Sequence, residues 1–301
     1  MAGHRGAGRY APSPTGELHL GNLRTAVLAW LFARSTGRRF LLRIEDLDAG
    51  RVRPGLAEQQ TADLVALGLD FDPPTLVQSA RAEAYADAVD RLAGRVFECF
   101  CTRREIAEAA SAPHGTVPRY PGTCRNLTAE QRAERRRTRT PALRLRADGT
   151  EQTIHDALHG SVTGAVDDIV VRRNDGTAAY HLAVVVDDGD TGVDQVVRGD
   201  DLLSSAVSQA YLARLLGYPV PTYAHVPLAV NAQGRRLAKR DGAVTLADLA
   251  VLGQSPVQVL GLLATSLGLP PAARVAELLP SFDPVGLPRT PWVVSPVRVG
   301  L

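Results

Sequence analysis

Along its first hundred residues the chain switches repeatedly between two hydrophobic periods. Residues 9–11 end a short strand, and Pro12-Ser13-Pro14-Thr15-Gly16 reads as a tight turn. Apolar positions then recur at helical spacing over about residues 23–34, and Arg39-Phe40-Leu41-Leu42-Arg43-Ile44 follows as a buried-strand pattern. Pro54 can open a second helix that carries Leu56, Leu64, Val65 and Leu67 and stops at Gly68. A third helical pattern over about residues 82–92 leads into Val96-Phe97. This alternation predicts a parallel sheet covered by helices, with a ligand at the carboxyl ends of the strands.

The rhythm breaks at residue 99. Residues 99–126 hold all three cysteines among several Gly and Pro, which reads as an inserted module. Residues 132–146 hold seven arginines, a run that fits either a solvated helix face or a contact to RNA backbone. Short β runs are expected over residues 153–186, with Asn174-Asp175-Gly176 as a hairpin turn. A helix over about residues 202–216 and a strand near residues 225–230 return to the α/β alternation, and residues 246–270 are helical in pattern.

Composition narrows the class. A chain of 301 residues with 45% hydrophobic and 22% charged positions has room for a proper core and about two domains. No apolar run nears the ~20 residues that cross a bilayer. Residues 1–8 lack the apolar centre of a secretory signal, so a soluble, cytoplasmic chain is expected. The net charge of +2 decides nothing about nucleic acid, which needs a local basic surface only. Lys and Arg together number 34, and Lys239 is the sole lysine. Arginine cannot replace a compact ammonium where geometry matters, which singles out Lys239.

Three stretches carry candidate chemistry. In Arg9-Tyr10-Ala11-Pro12-Ser13-Pro14-Thr15-Gly16-Glu17-Leu18-His19-Leu20-Gly21-Asn22 a strand ends, the chain turns, and a helix begins at about Gly21. The free N–H groups expected at that helix start suit phosphate, Gly21 permits close approach, and His19 can donate to a phosphate oxygen. Arg235-Arg236-Leu237-Ala238-Lys239-Arg240-Asp241-Gly242 is a basic loop whose ammonium can neutralise charge on a reacting phosphate. Cys99, Cys101 and Cys124 form an odd set, which argues against a disulfide framework. Zinc takes four ligands, and His114 is the candidate for the fourth place by ligand type; buried ordinary thiols are the plain alternative.

Four ordered blocks over about residues 9–250 resemble class I aminoacyl-tRNA synthetases of the glutamyl type. Residues 10–22 resemble the HIGH region, and Leu237-Ala238-Lys239-Arg240 lies where the family carries KMSKS. Leu41-Leu42-Arg43-Ile44-Glu45-Asp46-Leu47-Asp48 and Val197-Arg198-Gly199-Asp200-Asp201-Leu202-Leu203 match between them. The resemblance implies an α/β Rossmann-type catalytic domain with an inserted zinc-binding, acceptor-type subdomain and a short helical C-terminal region. The implied division is 1–98 and 195–245 for the two catalytic halves, 99–126 for the zinc-binding insertion, 127–194 for the rest of the inserted subdomain, and 246–301 for the helical end. Little chain follows Gly242, too little for the large helical anticodon-binding region of full glutamyl-tRNA synthetases. That points to the short glutamyl-Q branch of the family, in which glutamate goes to the queuosine base in the anticodon of tRNA(Asp).

By this resemblance Arg9, Tyr10, Ala11, Pro12, Ser13, Glu45, Tyr180 and Arg198 would hold glutamate. Arginine forks suit its carboxylates, and Glu45 suits its ammonium. His19, Gly21, Asn22 and Lys239 would hold ATP with its Mg²⁺, His19 and Lys239 in catalytic roles. The branch's Cys-x-Cys…Tyr-x3-Cys pattern implies one zinc per chain on Cys99, Cys101, Tyr120 and Cys124, with Tyr120 in place of His114. The implied partners are ATP, L-glutamate and queuosine-bearing tRNA(Asp), for a monomer with no membrane. The chain departs from the family pattern at Asn22, at Arg236 and Ala238, and at Ala206-Val207-Ser208-Gln209 in place of Thr-Pro-Arg-Gln. Two alternatives stand beside this reading: a truncated glutamyl-tRNA synthetase that charges the tRNA 3′ end, and a non-catalytic tRNA-binding relic.

Overall fold

The computed structural model describes residues 6–110, 119–237 and 244–294. The catalytic half that comes first holds β1 (Ala7–Tyr10), α1 (Leu20–Ser35), β2 (Arg39–Ile44), α2 (Leu56–Ala66), β3 (Leu76–Val77) and α3 (Ala82–Arg91). Then follow β4 (Val96–Cys99), α4 (Arg103–Ala110), α5 (Ala129–Arg136), β5 (Ala142–Leu145), β6 (Glu151–Asp156), β7 (Gly160–Ala165) and β8 (Val170–Arg172). The chain continues with α6 (Tyr180–Thr191), β9 (Val193–Gly199), α7 (Leu203–Leu215), β10 (Thr222–Val226) and β11 (Ala229–Val230). It closes on α8 (Leu246–Val251), α9 (Pro256–Ser266) and β12 (Trp292–Val293).

The main sheet has the order β3-β2-β1-β9-β10-β6-β7. Its neighbouring strands are parallel except in the β6–β7 hairpin. The expected α/β sheet is therefore present, with the hairpin extending it past β10. A second, antiparallel sheet β4-β5-β8 lies outside it. Strand order reverses at β1, which has β2 on one side and β9 on the other, and a crevice opens at such a switch point.

Side-chain alternation sorts the two faces of the sheet. Tyr10, Leu42, Val197 and Ala224 point to the face covered by α1, where the largest apolar cluster also takes in Leu260 and Leu263 of α9. Their sequence neighbours Leu41, Val196 and Tyr223, with Ala7, pack on the opposite face with Ala206 and Ala210 of α7. Arg9, Arg43 and Arg198 share the parity of Ala7, Leu41 and Val196, so all three guanidinium groups lie on the second face. A third cluster fills the space between α3, α6 and α7.

Residues 180–186, expected among the β runs, are helical instead. Val184, Val185 and Val186 suggest a strand locally. Leu182, Ala183, Val185 and Val186 nevertheless pack together on the α3 and α7 side, and that burial overrides β propensity. Gly192, at φ 73°, closes α6 in the left-handed conformation that favours glycine. The expected turn at Asn174-Asp175-Gly176 is present, closed by the Arg173 N–H to Thr177 carbonyl hydrogen bond at 2.8 Å.

Arg24 ties α1 to the C-terminal helix. It is 2% exposed, donates to the Pro227 carbonyl at 2.8 Å and the Ser266 hydroxyl at 3.1 Å, and lies 6.0 Å from the Trp292 ring. Burial draws its pKa down to about 10, against the pull of Asp200. Arg24→Ala should lower unfolding free energy by roughly 2–4 kcal/mol, from the cavity and the stranded carbonyl. A urea denaturation midpoint unchanged from wild type would refute this bracing role.

Candidate active site

A cleft of about 780 Å³ opens at the carboxyl ends of β1 and β9. Its lining includes Arg9, Tyr10, Ala11, Pro12, Ser13, His19, Gly21, Asn22, Glu45, Tyr180 and Arg198. Every site residue expected for glutamate and ATP is thus brought to one place except Lys239, which lies outside the described residues.

Beneath the cleft is a buried charge cluster that the sequence reading missed. Asp188 of α6 receives Arg43 Nη1 at 2.5 Å and Arg9 Nε at 3.3 Å. Arg43 also donates to Glu45 Oε1 from Nε at 3.3 Å and from Nη2 at 3.1 Å. Neighbouring Asp187 is fully buried and accepts from Gln78 at 2.8 Å, Arg81 at 2.7 Å and Tyr85 at 3.0 Å. Burial opposes ionisation of Asp188, yet Arg43 and Arg9 hold its carboxyl below the ordinary value. Glu45 goes the other way: burial raises its pKa in spite of Arg43 and Arg9. The signal for this cluster was an arginine inside a buried strand pattern and two adjacent aspartates at the end of an apolar run. Each demands an opposite charge, since unpaired buried ions are very costly.

Arg198 is 6% exposed, and its Nη1 has no hydrogen-bond partner among the described residues. A buried guanidinium nitrogen left open in this way is ready for an anionic oxygen.

His19 is the N-cap of α1. Its Nδ1 accepts the Gly21 N–H at 3.1 Å and the Asn22 N–H at 3.3 Å, while Asn22 Oδ1 accepts the His19 N–H at 3.2 Å. The Leu20 N–H donates to the Val244 carbonyl at 3.0 Å. The first N–H groups of α1 are therefore already satisfied, contrary to the expectation that they stand free for phosphate. What remains for an anion is His19 Nε2–H, the Asn22 amide and the positive end of the helix. Burial, reinforced by Arg236, lowers the His19 pKa to about 4, so the ring is neutral near pH 7 with its proton on Nε2. Gly21 sits at a close approach: a Cβ there would be 3.0 Å from Ala229 Cβ and from His19 Cε1, tight contacts that either neighbour would have to relieve.

The described residues on either side of 238–243 are anchored near the start of α1. Leu237 is buried and its N–H donates to the Ala229 carbonyl, while Thr245 bridges to His19. Arg236, one of the departures from the family pattern, pairs with Asp201 at 2.5 Å and so ties this segment to the Arg198 block.

The three cysteine sulfurs lie within 4.8 Å of one another, with Cys101 and Cys124 3.6 Å apart. Thiolates around a tetrahedral zinc at about 2.3 Å stand roughly 3.8 Å apart, so the cluster is compatible with that ion. The Tyr120 hydroxyl is 3.4 Å from Cys99 Sγ and accepts the Cys124 N–H at 2.7 Å. Burial raises Cys101 to about 12, whereas hydrogen bonds from Phe100 and Tyr120 outweigh burial and lower Cys124. His114 lies outside the described residues.

Several arginines of 132–146 reach the thiol module and its neighbours. Arg135 reaches Cys124 Sγ at 3.4 Å, Arg136 pairs with Glu98 at 2.8 Å, and Arg139 pairs with Glu105 at 2.8 Å. Arg144 is buried, donates to the Asp168 carbonyl at 2.6 Å and stacks 4.0 Å from the Tyr120 ring centre. Arg135, Arg136, Arg137 and Arg139 are all exposed and α5 buries no residue, so that part of the run is a solvated face from which some side chains reach the thiol module.

Residues 7–274 match the family model for tRNA synthetases class I (E and Q), catalytic domain. The chain is 64% identical to a glutamyl-Q tRNA(Asp) synthetase of Nocardia farcinica, over 96% of this chain and 93% of that one. It is 55% identical to a protein of the same name from Cutibacterium acnes, over 91% of this chain and 79% of the other. Among solved structures it is similar to a glutamate-tRNA synthetase from Elizabethkingia anophelis, at TM-score 0.82 and 25% identity over 98% of this chain and 69% of that one. The cleft, its flanking motifs and these likenesses agree: the chain belongs to the glutamyl-Q tRNA(Asp) synthetases, within the class I tRNA synthetases for E and Q.

Proposed function

We propose that the chain activates L-glutamate with ATP and passes the glutamyl group to the queuosine base in the anticodon of tRNA(Asp). The observation that carries this is the unpartnered, buried Nη1 of Arg198, a residue that lines the same cleft as the neutral imidazole of His19. One is fitted to a carboxylate and the other to a phosphate. Arg9 and Arg198 supply positive charge for the carboxylates, with Glu45 and Tyr180 lining the same cleft toward the ammonium. A carboxylate oxygen attacks the α-phosphorus of ATP, the α–β bond breaks, and pyrophosphate leaves with the Mg²⁺ that accompanied ATP. His19 donates from Nε2 to a phosphate oxygen, and Lys239 neutralises charge as it develops on the phosphates. An acceptor hydroxyl then attacks the acyl carbon, AMP leaves, and the hydroxyl proton passes to solvent. The names borne by relatives at 64% and 55% identity support queuosine as the acceptor. Cys99, Cys101 and Cys124 would hold one zinc, and the Tyr120 hydroxyl beside Cys99 supports it as the fourth ligand. That ion would cross-link the end of β4 to the loop ahead of α5 and, with none of these four residues lining the cleft, would serve structure and not the chemistry there.

The acceptor is tested with labelled glutamate. Queuosine-containing tRNA(Asp) trimmed of its 3′ end should still be labelled, while tRNA(Glu) and unmodified tRNA(Asp) should not. Loss of labelling on trimming alone would hand the reaction to the 3′ end.

Lys239→Arg should leave the fold intact and lower glutamate-dependent ATP–pyrophosphate exchange by roughly 10²-fold, the effect of losing one transition-state donor. Exchange at the wild-type rate would remove Lys239 from the mechanism.

Metal analysis of protein purified without chelator should find close to one zinc per chain, and Cys124→Ser should lose it and loosen the module. A folded, metal-free wild type would show the thiols to be ordinary buried cysteines.

A further inference from the structure

The polar row at the strand ends does not stop at Arg198. His225 of β10 stands directly opposite Arg198 of β9 in the parallel ladder, and Asp156 ends β6, the next strand across. Arg198 Nε donates to His225 Nε2 at 3.0 Å. That nitrogen must therefore be unprotonated, and the ring proton lies on Nδ1, which donates to Asp156 Oδ2 at 2.6 Å. Asp156 is itself fixed. It accepts the N–H groups of Leu158 at 2.9 Å and His159 at 3.0 Å on Oδ1, and that of His225 at 3.0 Å on Oδ2. His225 is 0% and Asp156 5% exposed, so neither can exchange its partner for water. Arg198 Nη2 is held by the Leu202 carbonyl at 3.3 Å, and the guanidinium lies 5.6 Å from the Tyr223 ring centre. With Nε and Nη2 tied, the group cannot turn, and the nitrogen left without a partner among the described residues is Nη1.

We infer that Asp156 and His225 are positioning residues that hold Arg198 with its open edge presented to a carboxylate of the amino acid. Asp156 selects the His225 tautomer, His225 offers Arg198 an acceptor and not a second donor, and the guanidinium is oriented before the substrate arrives. The β6–β7 hairpin thereby becomes part of the amino-acid site, although Asp156 is not among the residues that line the cleft. A loose guanidinium would bind the substrate only after paying the entropy of being ordered.

The inference rests on the reading of Arg198 as a carboxylate ligand, and the test separates the two. ATP–pyrophosphate exchange is measured for Arg198→Ala, His225→Leu, His225→Gln and Asp156→Asn, with KM taken separately for glutamate and for ATP. His225→Leu and Asp156→Asn should raise KM for glutamate by roughly ten- to a hundredfold, the scale of a misplaced binding group, with KM for ATP held within about twofold. His225→Gln, which keeps an acceptor toward Arg198, should recover most of the loss. Added to Arg198→Ala, the His225→Leu change should have no further effect on KM for glutamate. Arg198→Ala with a raised KM beside normal values in both Asp156→Asn and His225→Leu overturns the inference alone. Equal rises in both KM values, or full additivity in the double variant, also overturn it and reduce the pair to a structural role. An unchanged KM in Arg198→Ala overturns the reading of the pocket and the inference together. Should His225→Leu fail to fold, the near-isosteric Asp156→Asn decides the matter.

Discussion

The site depends on the pairing of Asp188 with Arg9 and Arg43. Three adjacent strands, β2, β1 and β9, each carry an arginine one position before their last residue, on the same buried face of the sheet. Left to themselves these cations would repel one another and drive the strand ends apart. Asp188 and Asp187 of α6 stand against them, at the end of a helix whose dipole disfavours carboxylates. At Asp188 the arginines outweigh burial and keep the carboxylate ionised, while at Asp187 burial prevails. Removing one partner from such a buried pair strands the other, at roughly 3–5 kcal/mol. Neither the helix nor the strand ends can therefore move without the other, and the cleft inherits its shape from that mutual need.

The two faces of the sheet consequently do different work. The face toward α1 is apolar and makes the main core, with Arg24 as its one deep charge among the described residues. The other face is apolar at the amino ends of the strands and ionic at their carboxyl ends. Substrate chemistry sits where that second face meets the start of α1. His19 belongs to both sides: it caps the core helix with one ring nitrogen and leaves the other for the cleft.

Much of this was legible in the sequence wherever the signal was local. The turn from Tyr10 to Asn22 combined Pro, Gly and a capping histidine, and the strand Arg39–Ile44 has the bounds its apolar pattern implied. The cysteines converge as their spacing suggested. What could not be read lay in partners far apart along the chain. Asp188 is separated from Arg43 by 145 positions, and Asp156 from His225 by 69, with no periodicity to link them. The helix Tyr180–Thr191 was hidden by its three valines, because propensity is a local quantity and burial is not. The first N–H groups of α1 were expected to be free because a helix start leaves them so, but the histidine that would serve the substrate had already claimed two.

The alternation of the strands also bears on how this molecule can vary over evolutionary time. Arg198 faces the carboxylates because it stands two positions beyond Val196, on the same face of β9. One codon gained or lost within that strand would turn the guanidinium toward the aliphatic side chains packed on α1 and bring Val197 into the polar row. The same change in the tip of the hairpin that joins β8 to α6, at Asn174 to Gly176, would disturb a surface turn and nothing else in the row. The short strands under the cleft should therefore drift by substitution alone, while length variation among descendants of this chain accumulates in the surface connections.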